Sequence, residues 1–151
     1  MSAKVHNFQK SLKIGKKAEN EFFELFKDKV EQLDGYVADF KILKNGKTIE
    51  LKTDSYDPTK TPNLFAEKFS YNEEPGGAFQ ALKKGTDYYV YWFPITMEFF
   101  VYKTSSLVDK LNELYPDPWL INIRNQAHIT RGFLVKRELL NKIRIPLEDI
   151  L

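Results

Sequence analysis

Asp39-Phe-Lys-Ile-Leu-Lys-Asn-Gly-Lys-Thr-Ile-Glu-Leu-Lys52 reads as a β-hairpin. Asn45-Gly46 between two alternating runs is a strong short-range hairpin signal, because a two-residue type I′ turn needs positive φ at both central positions. A turn centred there pairs Lys44 with Lys47, Lys41 with Glu50 and Asp39 with Lys52. Directly opposed residues of an antiparallel pair project to the same side. One face then carries Asp39, Lys41, Glu50 and Lys52, and the other Phe40, Ile42, Ile49 and Leu51. Two readings fit the polar face. It is either the wet side of a sheet, with cross-strand ion pairs worth a few tenths up to about 1 kcal/mol, or a group of acids and lysines gathered for chemistry.

Upstream, the periodicity predicts one amphipathic helix over 16–33. Ala18, Phe22, Leu25, Phe26, Val30 and Leu33 recur at spacings of three and four, with no interior Pro or Gly. Gly15 precedes the helix and Gly35 follows it, as a C-terminal stop would. At roughly 100° per residue these positions share one arc, with Glu24 and Glu31 opposite it and Glu21 near its edge. Glu19 lies inside the arc, and Lys29 falls near it at the far end, where its stem can snorkel. An inward carboxylate is costly unless it is paired, hydrogen-bonded or bound to a cation. The alternative is that Glu19 belongs to the first turn, where the helix dipole favours negative charge.

Taken in order, Gly15-Lys-Lys-Ala-Glu19, Asp39 and Glu50-Leu-Lys52 resemble the PD-(D/E)XK nuclease superfamily of restriction endonucleases, phage and repair exonucleases and junction resolvases. One departure is that Ala38 stands where the motif has proline. The motif residues cover the first half of the chain. In the second half the resemblance is one of element order, a helix from Gly76-Gly-Ala-Phe-Gln80 followed by the apolar strand Asp87-Tyr-Tyr-Val-Tyr-Trp-Phe93. The resemblance implies a restriction-endonuclease-like core and a catalytic set of Glu19, Asp39, Glu50 and Lys52. It implies Mg²⁺, with Mn²⁺ as a substitute, held by Asp39, Glu50 and the backbone carbonyl of Leu51. Glu19 would hold a second ion or a water on the first, and Lys52 would orient the attacking water. Gln80 is either an accessory group or a surface residue, and so is Glu67.

These residue types suit the chemistry. Mg²⁺ prefers oxygen ligands and keeps several waters, so one or two carboxylates plus a substrate phosphate suffice. Such an ion lowers the pKa of bound water and offsets charge on the transferring phosphoryl group. Cysteine is absent and only His6 and His128 are present, so a zinc site has almost no material.

The chain of 151 residues, 42% hydrophobic and 15% aromatic, has the length and composition of one globular domain, 1–151, rather than a disordered chain. The net charge of +2 does not announce a nucleic-acid partner, but its distribution is uneven. Lys4, Lys10, Lys13, Lys16 and Lys17 precede Glu19 without an intervening acid. Arg124, Arg131, Lys136, Arg137, Lys142 and Arg144 are offset only by Glu138. Either cluster is ordinary solvated charge or a set of phosphate contacts, with Lys13, Lys16, Lys17, Arg131, Lys136 and Arg137 as the candidates. The charged start Met1-Ser-Ala-Lys-Val-His has no apolar signal region, and no run approaches a membrane span, which favours cytoplasm, that of a host cell if the gene is viral.

The remaining pattern predicts strands over 36–44, 47–54, 63–70, 87–93, 98–103, 119–124 and 132–135, and helices over 77–84, 106–114 and 136–143. Ser105 is the expected N-cap of the helix before Pro116. Mixed elements of this kind make an α/β domain, a central mixed sheet flanked by helices. The leading expectation is a Mg²⁺-dependent deoxyribonuclease acting on double-stranded or branched DNA, favoured as a junction-resolving endonuclease by its small size and as a homodimer by the symmetry of paired cuts. The alternatives are a phage or repair exonuclease, a small restriction-type enzyme, or a non-catalytic DNA-binding module of the same fold.

Overall fold

The computed structural model describes residues 15–54, 57–70, 74–116, 121–124 and 129–151. A six-stranded mixed sheet forms its centre, in the order β1 (Val30–Gln32), β2 (Phe40–Ile42), β3 (Thr48–Thr53), β5 (Tyr88–Phe93), β6 (Glu98–Lys103), β9 (Arg144–Ile145). A second, antiparallel sheet has the order β4 (Asn63–Phe69), β8 (Ile129–Lys136), β7 (Ile121–Arg124). The central sheet is antiparallel except between β3 and β5. The connection between those two parallel strands carries β4 and helix α2 (Gly77–Lys83). The expected α/β class is therefore observed, with helices and the second sheet against a mixed sheet.

Alternation along the strands divides the core in two. One side gathers Phe40, Ile42, Ile49, Leu51, Val90 and Trp92 under Ala18 and Phe22 of the first helix, α1, whose described part is 15–26, and Ile150 of α4 (Leu147–Ile150). The other side gathers Tyr89, Tyr91, Phe93, Phe100 and Tyr102 with α2, α3 (Thr104–Leu114), the second sheet and Leu140 of a 3-10 helix, Arg137–Ile143. Strand β5 is buried at all six positions, as the unbroken apolar run Tyr88 to Phe93 requires of a strand covered on both faces.

Several boundaries depart from expectation, among them the strand expected over 36–44, which spans only Phe40–Ile42, and the helix expected from 106, which starts at Thr104. The helix predicted to reach residue 33 ends at 26. Lys29 N–H closes a turn onto the Phe26 carbonyl, and Val30–Gln32 pairs with β2 as Val30↔Ile42 and Gln32↔Phe40. Val30 satisfies both periods, and as an edge-strand residue it is buried while Glu31 and Gln32 face out. A vacant sheet edge thus overrides a short stretch of helical periodicity. Leu25, expected in the apolar arc, is 50% exposed. At α3 the N-cap is Lys103, without a side-chain cap, so Ser105 does not serve as expected.

The hairpin also turns differently. Lys41 pairs with Thr48 and Phe40 with Ile49, not Lys41 with Glu50. Ile42 N–H donates to the Lys47 carbonyl and Gly46 N–H to the Ile42 carbonyl, so four residues, Leu43 to Gly46, form the loop. Gly46 has φ of 75° but Asn45 is not left-handed, and its carboxamide oxygen instead accepts from Lys47 N–H at 3.0 Å. A type I′ turn is excluded by that one backbone angle. The slip is by two residues, so every side chain keeps its face, and Asp39 now stands opposite Glu50 instead of Lys52.

Candidate active site

Asp39 immediately precedes β2 and clasps β3 on both sides of Glu50. Its N–H donates to the Ile49 carbonyl at 2.9 Å, and its Oδ2 accepts from Leu51 N–H at 2.8 Å. These bonds, with Asp39 only 8% exposed, hold it against Glu50. In a strand, the N–H and C=O of one residue point to the same edge, so the Leu51 backbone is directed towards Asp39 while Glu50 and Lys52 lie in register with Tyr89 and Tyr91 of β5.

Glu19 comes from α1, three residues before Phe22. The Phe22 ring is fully buried, 4.8 Å from Phe40 and 6.5 Å from Trp92 between centroids. Burying such a ring contributes about 2–3 kcal/mol, and it fixes the rotation of α1. That rotation brings the Glu19 carboxyl beside Asp39, close enough for the Asp39 charge to act on it.

The electrostatics follow from that crowding. Burial, then the Asp39 charge and the shared hydrogen bond, push Glu19 up to about 7, against the opposing charge of Lys16. Burial raises Asp39 as well, partly offset by the Leu51 N–H, the Glu19 bond and the Lys84 charge. Glu50 is pushed up to about 8, first by burial, then by Asp39, with Glu19 adding and Lys84 opposing. Tyr89, buried beside Glu50, is raised well above its ordinary range by burial and also feels Tyr91, Glu50, Glu67 and Asp39.

Lys84 was not singled out by the sequence. It caps α2, and the helix ends in a Schellman arrangement. Gly85 N–H donates to the Leu82 carbonyl and Thr86 N–H to the Ala81 carbonyl, with Gly85 at φ of 83°. The Thr86 hydroxyl then donates to the Val37 carbonyl at 3.0 Å, which ties the end of α2 to the loop entering Asp39. A Lys-Lys-Gly helix end is visible in sequence, but where it docks is decided by the crossover between β3 and β5. Lys52 lies on the same strand face as Glu50 and is exposed.

The other candidates are spread more widely. Gln80 is exposed, one helical turn before Lys84. Glu67 is half-buried at a register shift in β4 and packs on Gly76 and Gly77, where an added Cβ would strike its carboxylate and backbone. Lys16, Lys17 and Lys136 are exposed, with Lys17 3.9 Å from Glu21. Arg131 is half-buried and lies over the Phe69 ring. Arg137 is a strut: it donates to the carbonyls of Asn63 and Pro58 at 2.9 and 2.8 Å and lies over Phe93 and Phe100. Lys4, Lys10, Lys13, both histidines and the Arg124 side chain fall outside the described residues.

Three carboxyl groups offer an all-oxygen donor set that suits a hard divalent ion, and their mutual repulsion is what such an ion relieves. Among the described residues, however, no three His, Cys, Asp or Glu side chains are arranged as a ready cage. No helix among the described residues is long and apolar enough to cross a membrane. Comparison of the chain with known protein families, with curated proteins and with solved structures gives no match.

Proposed function

We propose that the chain is a divalent-metal-dependent deoxyribonuclease of the PD-(D/E)XK kind, acting on branched or other non-uniform DNA as a structure-selective endonuclease. The observation that carries this reading is the clasp of Asp39 on β3 at either side of Glu50, with Glu19 of α1 near enough for its charge to act on Glu50. Support also comes from the order of elements: α1, three antiparallel strands β1 to β3, then α2 and the parallel strand β5.

Asp39 and Glu50 would hold the ion, with the Leu51 carbonyl on the edge facing Asp39. A bound divalent cation supplies charge neutralisation and Lewis acidity towards a phosphodiester. Glu19, raised by burial and by the Asp39 charge, would hold a second ion or a water on the first. Lys84 brings positive charge to Asp39 and Glu50, suited to a phosphate, and Lys52 would orient the attacking water. Paired cuts in a branched substrate call for two copies of the site, so the reading includes a homodimer.

The test is cleavage of blunt linear duplex, supercoiled plasmid and a four-way junction, each with Mg²⁺, with Mn²⁺ and with chelator. Metal-dependent cutting of the junction alone is the expected result. Cutting of all three indicates an unselective nuclease, and degradation from linear ends an exonuclease. No cutting of any, under conditions in which the folded protein binds DNA, would sink the enzymatic reading in favour of a binding module.

A further inference from the structure

Seven residues, Leu33 to Asp39, connect β1 to the site, and this loop is braced throughout. Leu33 N–H donates to the Asp39 carbonyl at 2.8 Å, closing its ends. Tyr36 N–H donates to Asp34 Oδ1 at 2.9 Å, Gly35 takes φ of 86°, and the Val37 carbonyl is bonded by the buried Thr86 hydroxyl. None of these braces uses the Tyr36 side chain. That side chain is 78% exposed, the most exposed large hydrophobic group among the described residues, with Val37 beside it 45% exposed. The Lys84 ammonium sits over the ring, 5.7 Å from its centroid.

An aromatic ring held out by a rigid loop contributes little to folding, since burial is what stabilises. Next to it lies the lysine whose charge also reaches Asp39 and Glu50, and Lys83 is exposed one residue earlier. An open π-face with cations beside it is the pairing that binds single-stranded nucleic acid, a base on the ring and phosphate on the ammonium. Tyr36 is three residues from Asp39, so their Cα atoms are at most about 11 Å apart. At about 3.4 Å per stacked nucleotide, a base within roughly three nucleotides of a phosphate at the carboxylates reaches the ring. Inside a duplex both faces of a base are covered by its neighbours; at a fork, a junction centre or a single-stranded end one is free.

We propose that Tyr36, with Lys84 against it, is a stacking platform for an unpaired base, and that this platform directs the site to splayed or single-stranded DNA beside the cut. This rests on the nuclease reading above and specifies its substrate. The experiment compares wild type, Tyr36→Phe and Tyr36→Ala. Anisotropy with chelator present measures binding to a splayed fork and to a blunt duplex of matching sequence; cleavage of both is then measured with Mg²⁺. Tyr36→Ala should lose on the order of 10- to 100-fold in affinity for the fork and under about twofold for the duplex, while Tyr36→Phe keeps both. Thermal melting of all three should coincide, because the ring is exposed. If Tyr36→Ala binds the fork as wild type does, or loses fork and duplex equally, the platform is wrong while metal-dependent cleavage by wild type leaves the nuclease reading standing. If wild type neither cuts nor binds either DNA, the nuclease reading fails and takes the platform with it.

Discussion

Asp39 bonds to β3 at the residue before Glu50 and at the residue after it, so the two carboxyl groups cannot drift apart without breaking backbone contacts. Substitutions here therefore separate chemistry from folding. Asp39→Asn keeps an oxygen for Leu51 N–H, and Glu50→Gln keeps shape. Each should lower the single-turnover cleavage rate by on the order of 10²–10⁴-fold, as removal of a group acting on the reacting charge does, while DNA affinity holds or rises. Asp39→Ala strands the Leu51 N–H and should in addition cost about 1–3 kcal/mol of stability in chemical denaturation. Equal loss of binding and cleavage in both isosteric variants would assign the cluster to binding. The lysines divide similarly: Lys52→Ala should depress the saturated rate more than affinity, whereas Lys16→Ala/Lys17→Ala should weaken affinity, most visibly as salt rises, and leave the saturated rate. Should Lys52→Ala reduce affinity alone, then Lys84, whose charge reaches both acids, is the better candidate beside the reacting water. At this scale the acids were legible because an inward Glu19 breaks the helical pattern, while Lys84 and Tyr36 were not, since a surface lysine and a loop tyrosine carry no periodic signal.

At the scale of elements, the hairpin face was legible although the turn was not. Alternation alone sorts Asp39 and Glu50 from Phe40 and Ile49, and a slip of two residues preserves that sorting. The true register depends on the φ of Asn45, which the dipeptide leaves open. Helix α2 shows how an element outside the motif shapes the site. Its C-terminal end delivers Lys84 and, through Thr86, braces the loop into Asp39. Its two ends respond differently to a methyl group. Gly85 has φ of 83° and nothing near its virtual Cβ, so Gly85→Ala should cost about 1–2 kcal/mol from backbone conformation alone. Gly77 has φ of 52°, and its virtual Cβ also lies 2.8 Å from the Glu67 carbonyl oxygen. Gly77→Ala should therefore be the more damaging of the two in equilibrium denaturation. Equal costs would mean that β4 yields freely and does not fix the start of α2.

For the whole molecule, the acidic cluster makes stability depend on pH and on divalent ions together. Glu19 and Glu50 bind their protons more tightly in the fold, at about 7 and about 8, than at the ordinary value of 4.5. Between those limits the unfolded chain is ionised and the folded one is not, so unfolding releases protons and stability falls as pH rises. Below pH 4.5 both states hold the protons and this contribution is flat. Above about 8 the folded cluster is ionised too and the loss is complete. Glu50→Gln removes one of these titrations, so its stability relative to wild type should climb from pH 5 to pH 9. Allowing for solvent screening, the gain at the alkaline end is on the order of 1–2 kcal/mol. A divalent ion competes with the same protons, so Mg²⁺ should raise the wild-type midpoint at pH 8.5 far more than at pH 5.5, and do little for Glu50→Gln at either. Melting curves at the two pH values, with Mg²⁺ and with chelator, measure all of these differences at once. A wild-type midpoint that neither falls with pH relative to Glu50→Gln nor responds to Mg²⁺ would mean that the three carboxyl groups are not the crowded, cation-binding cluster that the nuclease reading requires.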